Sequence, residues 1–586
     1  MNDAVPSTPP IVSNAVDMLR RHVRETPDRP ALDFVDGLGR PGEALSYAGL
    51  DSRARAIAGH LVARCQPGAR AIIAEPPGVN FVAAFFGCLY AGIIAVPVTP
   101  PRNPDSDEAQ RFLHAADDAG CAAVLAPADV AERLSAFPAL AARIATGWID
   151  VEAPGPVLAE PRAATADDIA FLQYTSGSTG APKGVVVRHG NIVHNANRIT
   201  ARCRLDSESR ALIWLPHFHD LGLVGGILVP IYAGFPTTLM SPMSFAKRPL
   251  GWIRLVGQGG YTISGGPNFA FRLCVERLEP RKLDGVDLSS WRCAFNCAEP
   301  VEADTVRAFV AAFAPWGFRA DAIYPCYGMA EATLSIASNP GPRPIIVFDA
   351  DADRLEAEGR AERAVGGVRA RCLVAVGQAA PGQTIAIVDP VSLAELDDRQ
   401  VGEIWTADAS VAAGYWQRSE ESQAVFDARL PERPGLAFLR TGDLGFIDGG
   451  DLFITGRLKD LIIIDGRNLH PEDIEMTVRA AAGLSSTLAV ATFAVERPAR
   501  GDAMVIVLEV ERRPLIEPAL LQGSVQAALV ARHDVSASEI VIVPAGRIPR
   551  TSSGKVRRKE ARMLYGSGAF HAMARASVAE SGTVMR

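Results

Sequence analysis

The chain has 586 residues, 48% of them hydrophobic and 21% charged, with a formal net charge of −7. This is a globular composition and excludes a disordered chain, while the acidic balance speaks against a nucleic-acid binder. The length exceeds the roughly 250–300 residues that one hydrophobic core serves, so more than one folding unit is expected.

The opening MNDAVPSTPP lacks a basic region followed by an apolar one, so no secretory signal is expected there. Amphipathic runs at 15–23 and 50–65 predict helices. Residues 81–98 are almost wholly apolar and near the minimum length for a membrane span, but Gly87, Gly92 and Pro97 interrupt them. A buried helix ending near Gly92, then a short core strand, fits that pattern better, and no stable membrane insertion is expected. As far as about residue 340, strand-like runs (ARAIIAE, AAVLAP, ALIWLP, TTLMSP) alternate with helical patterns. That alternation predicts an α/β fold with helices packed on sheets.

Residues 340–385 break the rhythm with NPGPRP, an acidic Ala-rich stretch and AVGGVRARCLVAVG, and read as an elaboration on the scaffold. Beyond Gly456 a small α+β unit is expected, with a helix at PEDIEMTVRAAAG and strands at TLAVATFAV and MVIVLEVE. The Gly/Ser/Ala-rich tail after about residue 566 is expected to fray. The basic run at 547–562 reads either as a solvated helix face or as a docking surface for an acidic partner. The nine cysteines are scattered and lack a CxxC pair. Free thiols in a reducing, cytoplasmic setting are expected, not a disulfide frame or a zinc site.

The most telling segment is YTSGSTGAPKG at 174–184, which follows the apolar IAFLQ. A strand feeding a Gly/Ser/Thr-rich loop exposes backbone N–H groups and hydroxyls to a polyphosphate, and Lys183 adds positive charge. It is not a Walker loop, because Gly184 stands where Ser or Thr would hold Mg²⁺. The string resembles the phosphate loop of the adenylate-forming superfamily, which includes acyl-CoA synthetases, luciferases and nonribosomal adenylation domains. Further segments match in the expected order: CYGMAEATL at 326–334, RTGDLGF at 440–446, GRLKDLIIIDG at 456–466 and PRTSSGKVRR at 549–558.

The resemblance implies a large N-terminal adenylation domain over 1–456, with a family-specific insertion at about 340–385. A small mobile α+β domain would follow over 457–586. It implies nucleotide contacts from Thr175, Ser176, Gly177, Ser178, Thr179, Gly180, Lys183, Ala298, Glu299, Tyr327, Gly328, Met329, Asp443 and Arg457. Glu331 takes the Mg²⁺ position, Lys459 the hinge, and Lys555 that of the mobile catalytic lysine. These residue types suit the chemistry. A carboxylate attacking an α-phosphate brings two anions together, so Mg²⁺ and a lysine are needed to stabilise the developing charge. A carboxylate is a hard ligand for Mg²⁺, and one like Asp443 accepts two hydrogen bonds from a ribose diol.

LPHFHDLGLVGGIL at 215–228, SGGPNFAFRLC at 264–274, DLSSWRCAFNCAEPV at 287–301, FGCLYAGIIAVPVTPP at 86–101 and GRNLHPEDIE at 466–475 are similar to fatty acyl-AMP ligases. That branch implies ATP and Mg²⁺ as cofactors, a fatty acid substrate and an acyl carrier protein as acceptor. It places His219 near the α-phosphate and the acyl carboxylate. A fatty acyl-CoA synthetase is the nearest alternative, and a non-catalytic nucleotide- or lipid-binding relative the alternative of another class. His217, His219 and Asp220 lack the further His or Cys ligands that zinc requires. One departure stands out: Cys297 occupies the usual glycine position before Ala298 and Glu299, where a side chain is expected to narrow the nucleotide pocket. GLDS at 49–52 resembles a carrier attachment site but opens a scaffold helix, so no fused carrier domain is expected.

Overall fold

The computed structural model describes residues 12–104, 106–175, 182–464, 467–497, 501–511, 517–551 and 554–575. The first helix, Ala15–Glu25, starts where the Asn14 side chain accepts the Asp17 N–H, and it buries Val16, Met18 and Leu19. The apolar run anticipated as a buried helix is Val79–Ala91. It stops at Gly92, whose φ of 68° suits glycine, and the strand Ile94–Pro97 follows. Phe81, Phe85 and Phe86 are enclosed on every side, which explains the absence of a polar stripe. A Cβ on Gly87 would meet Ile57 at 2.8 Å, so this glycine lets the helix pack closely on its neighbour, Tyr47–Val62. No described helix is long and apolar enough to cross a membrane.

Among the described residues two large sheets carry the scaffold. The six-stranded one runs, in spatial order, from Trp148–Ile149 through Ala123–Leu125, Arg70–Ile73, Ile94–Pro97 and Ile169–Thr175 to Lys183–Arg188. Only its last pair is antiparallel. The eight-stranded one has a parallel interior, including Ile263–Gly266, Cys293–Asn296 and Ile323–Gly328, and antiparallel strands at both edges. Their buried strands are short Val/Ile/Ala/Leu runs because helices cover the faces. Parallel strands end together, so the loops after Gly266, Asn296 and Gly328 open into one crevice, the usual ligand position in such sheets.

A four-stranded antiparallel sheet follows, made of Thr384–Val388, Gly402–Ala407, Leu439–Asp448 and Asp451–Arg457. Its last hairpin turns on Gly449 and Gly450, at φ 60° and 85°, which a two-residue turn of this hand requires. The elaboration is a hairpin, Val347–Asp351 with Ala370–Val374, around the helix Ala352–Glu358. Phe348 fixes it to the four-stranded sheet, 5.2 Å from Phe446 and 5.7 Å from Phe453 between ring centroids.

The C-terminal part has its own three-stranded sheet, Val490–Arg497, Gly501–Val510 and Glu539–Pro544, with an apolar core on each face. The anticipated helix is there as Pro471–Ala481. The described part of the tail, up to residue 575, departs from expectation, and the remainder lies outside the described residues. Residues 569–575 are helical and Phe570 is fully buried beside Val543 and Ala561, so burial of one aromatic ring holds the segment down. The basic run departs as well. Arg550 pairs with Glu509 at 2.9 Å, Arg557 with Glu560, and the half-buried Arg558 is held among Asp460, Glu472 and Glu475 at 2.8–3.0 Å. Half of the run therefore holds the C-terminal part together instead of facing solvent.

Among the described residues, polar contacts tie that part to the rest. Arg467 reaches Glu356 at 2.5 Å, Arg371 reaches Asp473 at 2.8 Å, and Ser486 donates to Glu276 at 2.8 Å. Glu356 also takes both prongs of Arg369, at 2.6 and 2.7 Å.

Candidate active site

The crevice at the strand ends and the C-terminal part enclose one cavity of about 2560 Å³. This exceeds the roughly 300–1000 Å³ of an ordinary small-molecule site and leaves room for a nucleotide and a long second ligand. Thr175, Lys183, His219, Ala298, Glu299, Tyr327, Gly328, Met329, Glu331, Asp443, Arg457, Lys459 and Lys555 all line it. Ser176, Gly177, Ser178, Thr179 and Gly180 lie outside the described residues.

Glu331 sits in a single tight turn, Ala330–Ala332, and is buried. Burial pushes its carboxyl above the usual range, while the Tyr415 hydroxyl, donating to Oε1 at 3.0 Å, opposes that push. The turn is held by Ala412 N–H on the Glu331 carbonyl at 2.9 Å and by the Thr333 hydroxyl on the Ser410 carbonyl at 2.6 Å. Gly328 is required just before it, because a Cβ there would lie 1.7 Å from the Leu334 carbonyl oxygen. Tyr415 also presents its ring to Lys183, whose Nζ lies 4.9 Å from the centroid and pairs with Glu421. The lysine of the phosphate segment and the metal-position glutamate thus share one tyrosine.

Asp443 and Arg457 face each other across the last hairpin, with Arg457 Nε 2.9 Å from Oδ1. The Tyr327 hydroxyl donates to the other oxygen at 2.7 Å. Each carboxylate oxygen retains acceptor capacity, enough for a vicinal diol. Asp443 raises the guanidinium pKa of Arg457 more than burial lowers it.

His219 Nδ1 lies 2.5 Å from Asp220 Oδ1. Asp220 also accepts the Leu221 N–H at 2.7 Å and starts the wide π-helical segment Leu221–Leu228. Burial would raise its carboxyl, but His219, the Leu221 N–H and Lys555 together hold it below the usual range. Cys297 is buried, just after the strand Cys293–Asn296 and next to the strand that carries Cys326. Ala298 then takes a φ of 71°, unusual for a residue with a Cβ, and Glu299 accepts the Phe269 N–H. Burial lifts the Glu299 carboxyl.

Lys555 comes from the C-terminal part, on a loop closed by the Thr551 N–H on its own carbonyl at 2.7 Å. Its ammonium lies within electrostatic reach of Asp220, Glu299, Asp443 and Arg457. The crowded cleft and Arg457 depress its pKa, and the three carboxylates restrain that fall. Lys459 lies in the turn Leu458–Asp460, beside Asp460, which Arg558 anchors at 3.0 Å. Tyr415, Glu421 and Tyr327's grip on Asp443 gave no local signal, since each contact joins residues at least 84 apart.

A lysine from the C-terminal part, a buried carboxylate and an aspartate with spare acceptor capacity thus line one crevice. Residues 19–416 match the family of AMP-binding enzymes, and the chain belongs to that family. It is 38% identical to the medium-chain-fatty-acid–[acyl-carrier-protein] ligase JamA of Moorena producens, over 95% of this chain and 96% of that one. It is 34% identical to the long-chain-fatty-acid–AMP ligase FadD32 of Mycolicibacterium smegmatis, over 96% and 95%. Among solved structures, the fatty acyl-adenylate ligase of L. pneumophila in complex with acyl adenylate and pyrophosphate aligns with a TM-score of 0.73 and 35% identity. That alignment covers 94% of this chain and 96% of that one.

Proposed function

We propose that this enzyme activates a medium- to long-chain fatty acid with ATP, releases pyrophosphate, and passes the acyl group to the phosphopantetheine thiol of an acyl carrier protein. The observation that carries the reading is Lys555, delivered by the C-terminal part into the carboxylate-lined crevice that also holds Glu331 and Asp443. In this reading Asp443 grips the ribose and Lys183 and Thr175 flank the phosphates. Lys555 neutralises charge as the acid's oxygen bonds to the α-phosphorus and the bond to pyrophosphate breaks. His219, fixed by Asp220, orients the acid's carboxylate.

Glu331 suits a divalent magnesium ion, since it is a buried hard carboxylate whose one side-chain hydrogen bond among the described residues comes from Tyr415. When bound, the ion supplies positive charge to the phosphate oxygens. For the second step the C-terminal domain, residues 457–586, turns about Lys459 and withdraws Lys555. The contacts Arg467–Glu356, Arg371–Asp473 and Ser486–Glu276 must part for that turn. Two of the three involve the insertion at 340–385, which favours slow release of the adenylate over prompt use of CoA.

Product analysis with ATP, Mg²⁺ and the acid, with and without CoA, tests this. Acyl-AMP that persists with CoA present and is consumed by a phosphopantetheinylated carrier is the expected result. Prompt acyl-CoA formation would move the chain to the synthetases, and no adenylate from any acid would leave a non-catalytic binder.

A further inference from the structure

The lysine at the end of the phosphate segment already has a partner. Lys183 opens the strand Lys183–Arg188, its ammonium pairs with Glu421, and it lies over the Tyr415 ring, 4.9 Å from the centroid. The backbone on both sides of this pair is held in place. The Trp416 N–H donates to the Gly184 carbonyl at 2.8 Å and the Val186 N–H to the Gly414 carbonyl at 2.9 Å, so residues 414–416 run along the edge of the strand. The Ser422 hydroxyl accepts the Tyr415 N–H at 2.9 Å and donates to the Arg418 carbonyl at 2.6 Å. That sets the helix Ser419–Phe426, and Glu421 with it, against the strand. The helix Asp107–Asp118 grips both flanks of the phosphate segment. Asp118 accepts from the Tyr174 hydroxyl and pairs with Arg418, both at 2.7 Å, and His114 donates to the Pro182 carbonyl at 2.7 Å. The freedom left to Lys183 is that of its four-carbon side chain.

We propose that Glu421 is a positioning residue that holds Lys183 while the phosphate site is empty and yields it to an incoming triphosphate. The inference rests on the acid-activating reading. An ammonium enclosed in a cleft needs a counter-charge, and the Lys183 side chain is only 16% exposed. Glu421 is suited to give the lysine up, because its own side chain is 40% exposed and water takes the place of the ammonium. Glu331, which accepts from the hydroxyl of the same tyrosine, is buried and lacks that recourse. Lys183, Glu421 and Tyr415 all line the cavity, so phosphates entering it meet the pair directly. While Glu421 holds the lysine, only part of the enzyme presents it to phosphate, and apparent affinity falls by that fraction. A partly exposed ion pair biases such an equilibrium by about two- to five-fold. The exchange runs backwards as pyrophosphate leaves, so the same factor applies to pyrophosphate.

Calorimetric titration of full-length Glu421→Gln with ATP and Mg²⁺, with pyrophosphate and with adenosine, no acid being present, tests the exchange. ATP and pyrophosphate should bind about two- to five-fold more tightly than to the parent, and adenosine, which carries no phosphate, equally well. Lost repulsion between the carboxylate and the phosphates would tighten binding even without the lysine, and a double-mutant cycle with Lys183→Met separates that effect. In the Lys183→Met background, Glu421→Gln should leave ATP affinity nearly unchanged. Glu421→Ala, which also removes the oxygen that glutamine keeps for the lysine, should tighten ATP at least as much as Glu421→Gln. Unchanged ATP affinity in both folded variants, equal tightening of adenosine, or tightening that persists without Lys183 would each overturn the exchange. A parent that binds no ATP would instead sink the acid-activating reading, whereas ATP binding by the parent beside unchanged variants sinks the exchange alone.

Discussion

Tyr415→Phe isolates one hydrogen bond at the metal-position carboxylate. The ring that faces Lys183 is kept, and only the hydroxyl 3.0 Å from Glu331 Oε1 is lost. A hydrogen bond to a buried charged group contributes about 1.5–3 kcal/mol. Its loss raises the Glu331 pKa further. The sign follows from the geometry: the phenol donates to the ionised form, so the variant holds its proton to higher pH. Burial has already raised this carboxyl. The acid limb of the pH–rate profile for acyl-AMP formation should therefore move to higher pH, with the alkaline plateau nearly kept. ATP–pyrophosphate exchange across a pH series reads this directly. A limb that stays in place in a folded variant would refute the idea that Glu331 must be ionised for the reaction.

Lys555→Ala should lower adenylation on the order of 10²–10³-fold while sparing transfer from supplied acyl-AMP, and exchange near the parent rate would dismiss its role. Glu356→Ala leaves Arg369 and Arg467 without their buried carboxylate; a stability loss of about 3–5 kcal/mol in denaturant melts is expected, and an unchanged midpoint would contradict it. Glu75 is buried with one oxygen unpaired, and its carboxyl is pushed up to about 8 by burial and by Glu152, Asp150 and Asp129. The folded state holds this proton between pH 4.5 and about 8 and the unfolded state does not, so stability falls as pH rises through that window. Glu75→Gln should flatten that slope, and a parallel slope in both proteins would count against the assignment. Arg558→Glu should disrupt the C-terminal domain, whereas Arg547→Glu with Arg562→Glu, both exposed, should weaken transfer to an acidic carrier and blunt its salt dependence; unchanged transfer would dismiss this face as the dock.

The layered scaffold was legible because buried strands and helices differ in length and punctuation. Gly92 ended the helix Val79–Ala91 in the sequence and in space alike. That the described motif residues meet in one cavity was legible because the matching segments occur in a fixed order along the chain. Tyr415 was not, because its value lies in reaching Glu331 across 84 residues, and nothing local marks that. The fate of the basic run was hidden for the same reason, since Arg558 reads as a surface cation until Asp460, Glu472 and Glu475 surround it. Phe570 shows the converse: one aromatic residue in a small-residue tail outweighed the composition around it.

The Asp443–Arg457 pair has a consequence for how the two domains communicate. One carboxylate faces the crevice and also restrains the arginine that leads into the Lys459 turn. A diol hydrogen-bonding to Asp443 spreads that negative charge over more donors and weakens its hold on Arg457. By reciprocity, whatever orientation of the C-terminal domain pulls Arg457 away must change affinity for the diol by the same factor. If the C-terminal domain turns about the Lys459 segment as proposed, occupancy of the crevice and that angle are two readouts of a single equilibrium, with two side chains as its coupling.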